Sequence, residues 1–328
     1  MENSLALNIR NLSVKYKVYE GILEVIPGLS LQIKKGERVG LIGEAGCGKT
    51  TVLKAAAAVL QSPPAIIRKD GIEVCGQSID GKAGIQNVRR NASMIFQDPS
   101  TSLNPTLKIS TQMLDILKSQ FKKGSREEYQ RMMLEALGSV SMPAPERVLG
   151  SYPVQLSGGM RQRVCIAMAL MKDTELMLAD EPTTALDVTI EEQILELLDR
   201  LVREKNKSLI LVSHALGAIR KITDRVYVMY AGNVVESGRT RDVFEHPKHP
   251  YTVGLLAATP KLSGEGGIAD GIAGEIPSYI NPPKGCRFAS RCPACTDVCL
   301  STAPELRPVA GEPERYAACH HVGKEVKL

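Results

Sequence analysis

The stretch Gly43-Glu44-Ala45-Gly46-Cys47-Gly48-Lys49-Thr50 decides the fold. It fits the pattern G-x-x-x-x-G-K-S/T. In such a loop the glycines let backbone N–H groups turn onto phosphate oxygens, the lysine reaches the β- and γ-phosphates, and the Thr hydroxyl ligates Mg²⁺. Upstream, Arg38-Val39-Gly40-Leu41-Ile42 is a short apolar run of buried-strand type. Downstream, residues 51–60 (TVLKAAAAVL) are alanine-rich and predict a helix. Strand, glycine loop and helix in that order place phosphate at a helix N-terminus, where free N–H groups and the helix dipole favour anions. A mere glycine-rich turn would need neither flank. Alone, the loop specifies only that a nucleoside triphosphate binds.

Two further apolar runs end in chemistry. Glu175-Leu176-Met177-Leu178-Ala179-Asp180-Glu181 closes on paired carboxylates, and Pro182-Thr183-Thr184-Ala185-Leu186-Asp187 follows. Phosphoryl transfer depends on positioning and electrostatics, so a metal holder (Asp180) and a water-polarising base (Glu181) are the parts to expect. Ser208-Leu209-Ile210-Leu211-Val212-Ser213 leads in the same way to His214. Between these parts and the phosphate loop lies Leu156-Ser157-Gly158-Gly159-Met160-Arg161-Gln162, an L-S-G-G-x run that opens a helix.

With that last run the chain resembles the ATP-binding cassette (ABC) ATPases. From about Leu5 to the C-terminus it resembles the importer subunits that serve oligopeptides, dipeptides and nickel. Phe96-Gln97-Asp98-Pro99 followed by Ser100-Thr101-Ser102-Leu103-Asn104-Pro105 is typical of that branch, as is His249-Pro250-Tyr251-Thr252. The resemblance implies roles position by position. Glu181 is the catalytic base, His214 the switch histidine near the γ-phosphate, and Gln97 the loop glutamine that senses Mg²⁺ and the membrane subunit. Asp180, Thr50 and Gln97 serve Mg²⁺. Gly43, Glu44, Ala45, Gly46, Cys47, Gly48, Lys49, Thr50 and Thr51 hold phosphate. Tyr16, ending Leu12-Ser13-Val14-Lys15, stacks on adenine, with nearby Tyr19 as the alternative. Asp187 lies in the loop that crosses the dimer, and Ser157, Gly158 and Gly159 reach the ATP of the partner chain.

Three residues depart from the family pattern. Cys47 stands for Ser, Val154 for His in Tyr-Pro-His-Gln, and Ala215 for the Asp after the switch histidine. None removes a phosphate, metal or water ligand, so only rate or regulation is touched. A thiol in a glycine loop at a helix N-terminus is also expected to have a depressed pKa and raised reactivity.

At 328 residues the chain can bury a large core and suggests two domains. The expected class is α/β: a phosphate-loop ABC ATPase core over 1–260 with a helical subdomain at about 98–156, then a small Cys-rich domain over 261–328. The alternation of strands and helices implies a largely parallel sheet. Residues 109–121 and 126–137 predict helices. Residues 226–230 and 234–238 predict a hairpin around Ala231-Gly232-Asn233. Ser263-Gly264-Glu265-Gly266-Gly267 is the expected linker. No run approaches the roughly 18 apolar residues of a membrane span. The start, Met1-Glu2-Asn3-Ser4-Leu5-Ala6, has no secretory character. The expected place is therefore peripheral, on the cytoplasmic face of the membrane. Net charge is +5, from 41 basic against 36 acidic residues, without a basic run, and Trp is absent. No nucleic-acid partner is implied.

Of the eight cysteines, Cys286, Cys292, Cys295, Cys299 and Cys319 crowd the tail. A reducing compartment argues against disulfides, which leaves metal, and thiolates suit zinc or iron–sulfur. Spacing alone singles out Cys292-Pro293-Ala294-Cys295 as half a zinc site, with His320 and His321 as further Zn²⁺ ligands. The family resemblance selects Gly-Cys-x4-Arg-Cys-x6-Cys (Gly285-Cys286, Arg291-Cys292 and Cys299) with a later Cys. That implies a [4Fe–4S] cluster on Cys286, Cys292, Cys299 and Cys319, with Cys295 an extra thiol.

The whole implies an ATPase subunit powering uptake of di- or oligopeptides, or of nickel or another solute. It would work with a second ATPase subunit (identical or paralogous), two transmembrane permeases and an extracytoplasmic solute-binding protein. A soluble ABC ATPase on DNA would need a long coiled coil between Lys49 and Asp180, and one on ribosomes two cassettes per chain. Neither is present. A redox or metal-sensing regulator is the remaining alternative.

Overall fold

The computed structural model describes residues 4–60, 64–121, 124–184, 186–258 and 271–322. Its centre is an eight-stranded sheet. In spatial order the strands are Arg307–Pro308, Tyr316–Ala317, Asn233–Arg239, Arg225–Tyr230, Arg38–Ile42, Ser208–Val212, Leu176–Asp180 and Ala92–Ile95. The last five run parallel. Every residue of Leu176–Asp180 and Ser208–Val212 is buried, as expected of parallel strands covered on both faces. The expected hairpin is present: Arg225–Tyr230 and Asn233–Arg239 pair antiparallel around Ala231 and Gly232, both at positive φ.

A second, antiparallel sheet is built on the long strands Leu5–Val18 and Gly21–Lys34, with Gly71–Val74, Gln77–Ser78 and Ala65–Arg68. Its inner face (Leu7, Ile9, Val14, Ile26, Leu31, Ile33) shares one core cluster with Val39, Leu41 and the helix Lys49–Ala56. That helix is shorter than the alanine content predicts. Ala57 caps it, and Ala58 turns the chain out at φ +54°.

Between Gln97 and Leu156 the chain is helical, with Ile109–Gln120 and Arg126–Ser139 as the main elements. Ser125 and Glu128 form a reciprocal capping box. Leu103, Met113, Leu117, Met133 and Leu137 fill the helical core, which is continuous with the other face of the central sheet. Gln112 closes the Ser-Leu-Asn-Pro turn: it accepts from Asn104 N (2.9 Å) and donates to the carbonyls of Asn104 and Leu107 (3.0 Å each). The described residues beyond Pro260, from Gly271 on, are woven into the core. Tyr316–Ala317 extends the central sheet beside Glu236 and Ser237. The Phe288 ring meets those of Tyr230 and Tyr251 at 5.1 and 5.5 Å. The glycine stretch at 263–267 lies outside the described residues.

Candidate functional site

Four adjacent parallel strands deliver their C-terminal ends to one crevice, where open α/β sheets bind ligands. Arg38–Ile42 leads into the glycine loop, Leu176–Asp180 into Glu181, Ser208–Val212 into His214, and Ala92–Ile95 into Gln97. In the loop, Gly43 and Gly48 are fixed by space as well as by positive φ. A Cβ on Gly43 would lie 2.1 Å from the Met229 carbonyl, and one on Gly48 2.6 Å from Ile26. Ala45 and Gly46 form the exposed tip, and Lys49, Thr50 and Thr51 begin the helix. Lys49 is buried and donates to the carbonyls of Gly43 (2.8 Å) and Glu44 (3.0 Å).

Asp180 is buried, and its Oδ1 accepts from Thr50 Oγ1 at 3.0 Å. Burial raises its carboxyl above the usual range, with the Thr50 hydrogen bond opposing. A carboxylate beside a hydroxyl at a helix start is a hard-oxygen donor set that fits Mg²⁺. Glu181, next in sequence, takes φ +46° and joins three side chains. Its Oε2 accepts from Gln97 Nε2 (2.9 Å) and Thr184 Oγ1 (3.1 Å), while its Oε1 lies 2.6 Å from His214 Nε2. Gln97, Glu181 and His214, named separately from sequence, thus meet in one cluster. Thr184 is an addition. It stands in the quoted Pro-Thr-Thr run, but nothing there marks its hydroxyl.

Ser157 and Asp187 are helix caps. Ser157 Oγ accepts from Met160 N (3.3 Å) before the helix Gly158–Leu170, and Asp187 Oδ1 accepts from Ile190 N (3.0 Å) before Val188–Glu204. The two helices pack so closely that a Cβ on Gly159 would lie 3.0 Å from Ile190. Ser157 is exposed. Tyr16 is half-buried opposite Leu23 and Ala65, whereas Tyr19 is wholly exposed.

Cys47 corrects an expectation. It is 1 % exposed beneath the loop, and burial pushes its thiol pKa up, against the pull of Lys49. The local helix-terminus argument for a reactive thiolate fails because the sulfur points into the core.

Residues 26–184 match the family described as ABC transporter, and residues 235–299 match the oligopeptide/dipeptide transporter C-terminal region. The dipeptide transport ATP-binding protein DppD of Bacillus subtilis is 42% identical over 303 residues, 91% of this chain and 90% of that protein. The chain belongs to the oligopeptide/dipeptide branch of the ABC transporter ATP-binding proteins. The oligopeptide transport ATP-binding protein OppD of Escherichia coli is 40% identical over 320 residues, 95% of this chain and 92% of that one. Among solved structures, the ATP-binding cassette MJ0796, described as a dimer in a post-hydrolysis state bound to ADP and Pi, superposes with a TM-score of 0.64. It is 28% identical and covers 72% of this chain and 99% of that chain. The protein is accordingly an ABC ATPase coupled to transport. Among its described residues no helix is long and apolar enough to cross a membrane.

In this ABC ATPase, Cys286, Cys292, Cys299 and Cys319 line one cavity of about 10 Å³ with His249, His320 and His321, while Cys295 lies outside it. Burial pushes the Cys286 thiol up to about 11 and raises Cys292 and Cys319 in the same direction. Cys299 Sγ lies 3.5 Å from Thr296 Oγ1 and 3.7 Å from His321 Nε2. Among the described residues no group of three or more His, Cys, Asp or Glu side chains is arranged to hold a metal ion. The donor set suits a cluster in kind, but as placed it does not fit one. The cavity is water-sized, and the sulfurs meet protein partners rather than a common centre.

Sequence reasoning also missed the residues that hold the phosphate loop from outside. Tyr251 Oη accepts from Glu44 N at 2.9 Å, Tyr279 Oη donates to the Gly46 carbonyl at 2.9 Å, and Arg291 pairs with Glu44. Tyr251 and Arg291 both stand inside motifs that carry the family resemblance, which was the available signal.

Proposed function

We propose that this ABC ATPase hydrolyses ATP to drive uptake of di- or oligopeptides, with Glu181 as the base. The observation that carries the reading is the meeting of Glu181, Gln97 and His214 beside the Asp180–Thr50 pair, at the ends of adjacent strands. The phosphate loop and Lys49 bind the polyphosphate, and Tyr16 stacks on the adenine. Glu181 orients and deprotonates water, held in aim by Gln97, Thr184 and His214. Mg²⁺, when bound by Thr50, Asp180 and Gln97, neutralises charge on the phosphates. The peptide class rests on the relatives' names and on the matching C-terminal region.

Two such subunits form a closed dimer, each presenting Ser157, Gly158 and Gly159 to the nucleotide of the other across Asp187, as the dimeric relative suggests. An apolar groove of about 310 Å³, lined by Met94, Phe96, Leu103, Ile116 and Met168, borders Gln97 and suits a permease helix. Phe96 is exposed there. In this reading the protein sits on the cytoplasmic face of the membrane with two permeases and a solute-binding protein. We divide it into an ATPase domain over 1–260, whose helical subdomain spans about 98–156, and a tail over 261–328. The [4Fe–4S] reading of the tail rests on its cysteine pattern alone, since the cavity those sulfurs line does not fit a cluster as placed, and no step of hydrolysis passes through it.

The test is uptake of a labelled dipeptide by vesicles carrying the assembled transporter. Lys49→Ala should abolish uptake and ATP binding together. Phe96→Asp should abolish uptake while ATP binding stays. Transport of nickel but not peptide would overturn the substrate class.

A further inference from the structure

A loop built to receive polyphosphate carries a carboxylate as its second residue. Two unit charges roughly 10 Å apart in a surface-like dielectric repel enough to weaken binding about tenfold. Glu44 therefore works against the loop unless something neutralises it. Arg291, 247 positions away in sequence, meets it in a two-pronged pair, Nη1 to Oε2 at 2.8 Å and Nη2 to Oε1 at 3.0 Å. The Arg291 side chain is 3 % exposed. Its other hydrogen bonds go to the carbonyls of Ile272 (2.8 Å) and Ala273 (3.0 Å) and to Tyr230 Oη (3.3 Å). The guanidinium also lies 5.7 Å from the Tyr230 ring centre. Such a fork fixes direction as well as charge, which a lysine cannot do.

The same region grips the loop a second time. Tyr279 donates to the Gly46 carbonyl, and the neighbouring backbone is tied to the core, with Glu24 N donating to the Tyr279 carbonyl at 2.8 Å. Tyr251 takes the Glu44 N–H, so the loop reaches phosphate with its later N–H groups.

We propose that Arg291 is a positioning residue of the ATP site. It neutralises Glu44 and holds its carboxylate off the phosphate path, so the C-terminal region sets the affinity of the loop for polyphosphate. The proposal rests on Gly43–Thr50 being the phosphate loop and names what tunes it.

The experiment titrates MgATP and MgADP calorimetrically into the full-length chain. Arg291→Gln should weaken MgATP binding about tenfold, and MgADP less, because repulsion grows with phosphate charge. Arg291→Lys should recover only part of that loss, since it keeps the charge but not the fork. Glu44→Gln combined with Arg291→Gln should return MgATP affinity to near wild type, because no carboxylate is left to repel. Wild-type affinity in Arg291→Gln would overturn the proposal. So would an equal loss for ATP and ADP, or a double variant as weak as the single one, either of which makes Arg291 a packing residue only. Should Arg291→Gln not fold, Glu44→Gln alone decides: the unbalanced arginine must then widen the preference for ATP over ADP, and an unchanged preference refutes the idea. Failure of the phosphate-loop reading looks different, with wild type and Lys49→Ala binding MgATP alike.

Discussion

Replacing Glu181 by Gln separates chemistry from geometry at this site. The carboxylate has three partners: Gln97 Nε2 at 2.9 Å and Thr184 Oγ1 at 3.1 Å on one oxygen, and His214 Nε2 at 2.6 Å on the other. A glutamine that keeps its oxygen toward Gln97 and Thr184 turns its NH₂ toward His214, which accepts it in the Nδ1–H tautomer. All three contacts survive a single tautomer change, so the local cost is below about 1 kcal/mol. The φ of +46° is no harder for Gln than for Glu. Loss of a general base, by contrast, slows a reaction about 10²–10⁴-fold, or about 3–5 kcal/mol of barrier. The lost base therefore outweighs the altered hydrogen bonding. Turnover should collapse while MgATP affinity holds, and ATP should trap a dimer. Phosphate release gives the first quantity, calorimetry the second and gel filtration the third. Turnover within about threefold of wild type, well inside the span of a lost base, would remove Glu181 from the role.

Cys47 should resist maleimide in the native protein and react only after denaturation, whereas Cys295, outside the tail cavity, should label first. Mass spectrometry of the labelled peptides checks the order, and equal rates would contradict the burial described above. His249 is buried, and its pKa is pushed down to about 3 by desolvation. Between pH 6.5 and 3 the unfolded chain takes up a proton that the folded chain refuses, so stability should fall with decreasing pH by up to about 1.4 kcal/mol per unit. His249→Asn, which can still cap the helix Pro250–Ala257, should flatten that acid limb in denaturant titrations. Anaerobically purified protein with iron and labile sulfide, lost in Cys286→Ser, would establish the tail cluster; metal-free protein with eight titratable thiols would dismiss it.

What the sequence made legible was local. Arg38–Ile42, Leu176–Asp180 and Ser208–Val212 each carry their burial in a single short run, and the functional groups sit where those runs end. The clustering of Gln97, Glu181 and His214 follows from parallel pairing, which the alternation of elements implies. Two kinds of fact were hidden. The first is pairing across long separations: nothing local in Glu44 or Arg291 announces their ion pair, nor in Glu236 its alignment with Ala317. The second is the direction of a side chain. Cys47 occupies a position whose backbone favours anions, yet its sulfur points inward, and a motif is silent on that. The cysteine pattern of the tail likewise placed four sulfurs around one cavity but could not specify their distance from a common centre.

The strand Tyr316–Ala317 has a consequence for solubility. Without it, Asn233–Arg239 would end the central sheet as an open edge, seven residues of mostly buried strand with a free row of N–H and C=O groups. Such an edge is a template for another chain. Arg315, beside that strand, bonds the fully buried Glu236 at 2.5 Å and the His246 carbonyl at 2.9 Å, fastening the cover from within. Cutting the chain before that strand would therefore expose a sticky margin and leave the buried Glu236 without its arginine, held only by the N–H groups of Lys248 and His249. The shortened protein should be lost to self-association before any deficit in nucleotide chemistry could be measured.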